Sequence, residues 1–141
     1  MNPRLLAGAL VAPMAGLATG VWSEFADLGP PVLLAVAVPA IVISLLSLAR
    51  LSERSRPIPL ILMGGAIGLL TFAISVGLYV ALHYVRGGGF DINDEESGGS
   101  AAVFFAVHVA VGAMVGVGVG AAMAVLVVVG RVLGLRRSSV A

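Results

Sequence analysis

The side chains able to do chemistry are few and unevenly placed. His108 is the only readily titrating group in Ala101–Gly130, a stretch of thirty residues with no fixed charge at neutral pH. Imidazole can bond helices together, carry protons or bind a metal. At membrane depth an unpaired polar group is costly, so such a residue is expected to turn inward to a partner. Ser75, Tyr79 and His83 recur at four-residue intervals and form one polar stripe on a helix. If that helix and the one carrying His108 run antiparallel, His108 meets Tyr79 or Ser75. The first expectation for this cluster is a hydrogen-bonded seam; the second is a proton or cation path.

Other patterns fall short of a site. His83 and His108 are the only two histidines. Counted from their helix ends they differ by about 5–10 Å in level, whereas bis-histidine haem needs both ligands level with one iron. Gly116-Val117-Gly118-Val119-Gly120-Ala121 spells a dinucleotide fingerprint. That motif works only between a strand and a helix N-terminus, and here it lies deep in an apolar run. Asp91 and Asn93 open like a calcium loop, but Glu96 stands where glycine is required and Ala102 where the closing glutamate belongs. With no cysteine, disulfides, thiol redox chemistry and cysteine-bound metal are excluded. No residue is assigned to catalysis, cofactor or metal, and no nucleic-acid partner is indicated.

The elements holding these residues are apolar. Hydrophobic residues make up 60% of the chain and charged ones 11%, with mean hydropathy +1.12. A soluble domain has roughly 45–50% apolar and about 25% charged residues. Four spans are expected, at about 5–22, 32–49, 58–85 and 101–130, giving an all-α four-transmembrane-helix bundle in a single domain. The first contains Pro13 and the second Pro39, each expected to kink its helix. The rival reading of 5–22, a cleaved signal peptide, suffers from a rather long apolar run. Trp22 suits a membrane interface, and Ser23–Pro31 reads as a turn with Glu24 and Asp27 in water.

Charge orients the model. Arg4, Arg50, Arg54, Arg56, Arg131, Arg136 and Arg137 fall on one side of it, including the 50–57 loop. Arg86 falls on the other, with Glu24, Asp27 and the acidic 86–100 loop. Arginine-rich loops stay in the cytoplasm, which puts both termini inside and the acidic loop outside the cell membrane.

Small residues recur at four-residue spacing: Ala12, Gly16 and Gly20; Gly64 and Gly68; Gly112, Gly116, Gly120 and Ala124. Such faces let membrane helices approach closely, within one bundle or between chains. His108 lies one turn before Gly112, on the same face. Small four-span antiporters, similar to this chain in size only, usually depend on a membrane-embedded acid, and none of the spans as drawn holds one. The expected function is therefore a non-catalytic accessory or scaffold protein in the bilayer, packing on itself or in a larger membrane complex. The alternative is a small transporter or channel element using His108 and the acidic outer mouth. A haem-binding or other membrane enzyme subunit ranks third.

Overall fold

The computed structural model describes residues 3–26, 30–51, 57–86 and 101–133. Among these the secondary structure is helical, without strands. The helices are α1 (Pro3–Ala9), α2 (Val11–Ala26), α3 (Pro30–Leu51), α4 (Pro57–Val85) and α5 (Ala101–Val132). Proline opens α1, α3 and α4, where its fixed φ suits a helix and its missing N–H leaves nothing unpaired. Residues 87–100, with the acidic run, and 52–56, with Arg54 and Arg56, lie outside the described residues, as does Asp27.

The first helical run is broken at Leu10, whose N–H is shared between the carbonyls of Leu6 (3.1 Å) and Ala7 (3.2 Å). Pro13 explains the break. It offers no N–H to the Ala9 carbonyl, and its ring crowds that oxygen. Pro39 leaves α3 as one helix. α2 also runs further than the apolar pattern indicates: Ser23, Glu24, Phe25 and Ala26 are helical, not a turn. Glu24 finds partners at the end of α4, in His83 and the following Arg86, which removes the reason for the helix to stop at Trp22.

α4 is packed against α2, α3 and α5, most extensively against α5. The buried core joins Ala12 of α2, Ala37, Ala40, Ile41 and Leu45 of α3, Phe72 of α4 and Met123 of α5. Outside this narrow core, large apolar side chains face away from the protein on every helix, among them Leu6, Phe25, Leu46, Leu62, Met114 and Leu126. Pro57–Val85 and Ala102–Val132 are each long and apolar enough to cross a membrane.

Candidate functional site

The α4–α5 contact is built from glycine. Gly64 and Gly68 lie against Gly112, Gly116 and Gly120, backbone on backbone. A Cβ on Gly116 would collide with the Gly64 carbonyl, and one on Gly120 would come within 2.5 Å of the Leu60 carbonyl. Ala124 is buried one turn beyond Gly120. These contacts also fix the relative heights of the two helices. At the level where Gly120 meets Leu60, α4 has three residues left towards its start and α5 has twelve towards its end. α5 thus overhangs the start of α4 by about 13 Å, and Val125, Leu126, Val129 and Val132 are exposed along the overhang.

The polar stripe of α4 faces α2. Ser75 is buried and its Oγ lies 3.2 Å from Thr19 Oγ1. The Thr19 hydroxyl also lies 2.7 Å from the Ala15 carbonyl of its own helix. One turn beyond Tyr79, His83 Nδ1–H donates to Glu24 Oε2 (3.3 Å), and Arg86 donates from one guanidinium nitrogen to Glu24 Oε1 (3.1 Å) and to the Glu24 carbonyl (3.3 Å). The Glu24 side chain is 5% exposed, against 33% for His83 and 51% for Arg86. Burial would penalise an isolated carboxylate heavily; here the guanidinium and imidazole meet both its oxygens. The Arg86 guanidinium also sits 4.8 Å from the centre of the Phe25 ring.

His108 takes a different place. Its Nδ1–H donates to the Phe104 carbonyl one turn back on α5 (2.7 Å), and its ring packs at 4.1 Å on the Phe104 ring. Phe104 meets Tyr79 at 6.0 Å, and Tyr79 stacks on His83 at 5.9 Å. Four rings thus form a row across α4 and α5, with Phe104 between His108 and Tyr79. Ser75 and His83 bond to α2, so Ser75, Tyr79, His83 and His108 are not gathered at one polar centre. Tyr79 and Phe104 mark a common level, from which His83 lies one turn one way and His108 one turn the other. The imidazoles are thus separated by about 12 Å along the helix axes.

The polar groups missed in sequence are Glu24, Arg86, Thr19 and Ser44. Glu24 reads as a loop acid because hydrophobicity stops at Trp22; its partners are 59 and 62 residues away. Ser44 is fully buried, accepts from the Ala12 N–H (3.0 Å) and donates to the Gly8 carbonyl (3.2 Å). No signal short of knowing the helix neighbours identifies that pair of bonds. Among the described residues, no group of three or more His, Asp or Glu is placed to hold a metal ion. Comparison with protein-family models, curated proteins and solved structures finds no match.

Proposed function

We propose that this chain is an integral protein of the cell membrane with four spans, α1 and α2 together forming the first. Both termini and the 50–57 connection then lie in the cytoplasm. Its proposed role is that of a non-catalytic accessory or scaffold subunit, contacting the bilayer and further copies of itself or a larger complex. The membrane assignment is supported by incomplete burial of the two longest helices. Only 39% and 28% of their most apolar windows are buried, whereas the core helix of a soluble domain would be mostly covered. Seven of eight arginines on one side support the orientation.

The observation that carries the subunit role is the α5 overhang. Glycine faces in α4 and α5 are already occupied by each other, so they offer little to a partner. Apart from Arg131, the last turns of α5 beyond the start of α4 expose apolar side chains: Val125, Leu126, Val129 and Val132. Purification of the full chain from native membranes in mild detergent, followed by native mass spectrometry, tests the role. A stoichiometric assembly that Val129→Arg disperses is expected; a lone chain under the same conditions would refute it.

A transport role has one observation in its favour, the nearly enclosed Glu24 carboxylate joined to a titratable imidazole. Against it, both carboxylate oxygens are engaged by His83 and Arg86. Proton flux in reconstituted vesicles decides: flux abolished by Glu24→Gln or His108→Ala would favour transport, and flux equal to that of empty vesicles would remove it.

A further inference from the structure

The buried Ser44 hydroxyl occupies an unusual position. It stands between the Gly8 carbonyl and the Ala12 N–H, the i and i+4 groups that an unbroken helix would join directly. It does so at the break that Pro13 imposes, with Ala12 and Ser44 both fully buried. Three other helix hydroxyls bond back to the carbonyl four residues earlier: Thr19 to Ala15 (2.7 Å), Ser47 to Ile43 (2.9 Å) and Thr71 to Ile67 (2.7 Å). Ser44 departs from that habit and is spliced into the neighbouring helix.

We propose that α1 is a hinged arm turning about Leu10, with the Ser44 hydroxyl as its latch. Two arrangements satisfy the same polar groups. In the latched one, Ser44 bridges Gly8 and Ala12 and α1 lies on α3. In the released one, Ser44 donates to the Ala40 carbonyl of its own helix, as Thr19, Ser47 and Thr71 do, and Gly8 pairs directly with Ala12. The Ser44 hydroxyl, the Gly8 carbonyl and the Ala12 N–H are each paired in both, so exchange between them avoids the desolvation penalty that normally freezes buried polar contacts. Such a pair of discrete, mutually satisfied packings is what a switch requires. Leu10, with its divided hydrogen bond, is the residue that absorbs the change. Packing of α1 on α3 through this latch is independent of the proposed topology and subunit role.

The natural chain has no cysteine, so spin labels can be placed at will. One pair, Leu6→Cys with Leu62→Cys, reports α1 against α4. A second, Leu17→Cys with Leu69→Cys, reports α2 against α4. All four positions are exposed and outside the helix seams. Distances are measured by pulsed electron paramagnetic resonance on the full chain in lipid nanodiscs. Ser44→Ala should shift the 6–62 distribution to a new component several ångströms away and leave 17–69 unchanged. Pro13→Ala, which restores the N–H for the Ala9 carbonyl, should move 6–62 in the same sense. If Ser44→Ala does not fold, Pro13→Ala decides by the same two distances. An unchanged 6–62 distribution, or a 17–69 distance that moves equally, overturns the hinge.

Discussion

α4 is fastened to α5 and to α2 by different means. Towards α5 it presents Gly64 and Gly68, and the contact is backbone against backbone. Towards α2 it presents Ser75, His83 and Arg86, and the contact is a hydroxyl pair and a bridged carboxylate. Small residues matter on this side too, since Gly16 and Gly20 sit on the carbonyls of Thr71 and Ser75. Close packing tolerates no insertion and admits one register, whereas hydroxyls and ion pairs can change partners. The α4–α5 pair, with α2 seated on α4 through Gly16 and Gly20, is accordingly the fixed part of the fold, and α1, held through Ser44, is the adjustable part.

The largest expected effect breaks the fixed part. Gly116→Leu forces a branched side chain into the Gly64 carbonyl and Gly68, and should cost more than about 3 kcal/mol. Thermal unfolding in detergent should show loss of the cooperative transition. Glu24→Ala breaks the largest polar fastening, yet Arg86 is half exposed and can turn to water. Its cost is about 1–2 kcal/mol, discounted for that screening, and the melting-temperature difference from the natural chain should narrow at high salt. Thr19→Val removes the one hydroxyl of α2 that meets Ser75 Oγ while also bonding back to its own helix, and should cost about 0.5–1 kcal/mol, read by the same melts. Gly118→Ala is the smallest change. A Cβ there meets nothing within 4 Å, so stability should hold or rise by up to about 1 kcal/mol from helix propensity. Equal losses for Gly116→Leu and Gly118→Ala would mean that the glycine seam has no special standing.

The helices were legible in the sequence because long apolar runs bounded by Pro, Gly and charge permit little else. The four-residue spacing of Gly112, Gly116 and Gly120 likewise marks one face. Periodicity identifies a face without naming the helix that fills it. For that reason spacing alone directs the Ser75–Tyr79–His83 stripe at His108 across the next connection, whereas its polar ends bond to α2. An acid after an apolar run usually marks water, so Glu24 reads as solvated; only His83 and Arg86, brought from the end of another helix, make its enclosure tolerable. The Ser44 bridge depends on three accidents of neighbourhood: a proline break in one helix, a serine at its level in another, and direct contact between them.

The proposed four crossings, with arginine-rich connections inside, can be measured directly because the chain has no cysteine of its own. Single substitutions Ser52→Cys, Ser97→Cys and Ser138→Cys would be exposed in turn to a membrane-impermeant maleimide on intact cells and again after lysis. Four crossings predict that position 97 labels on intact cells, and that positions 52 and 138 label only once the membrane is opened. Labelling of position 52 or 138 on intact cells, or protection of 97 until lysis, would contradict the account.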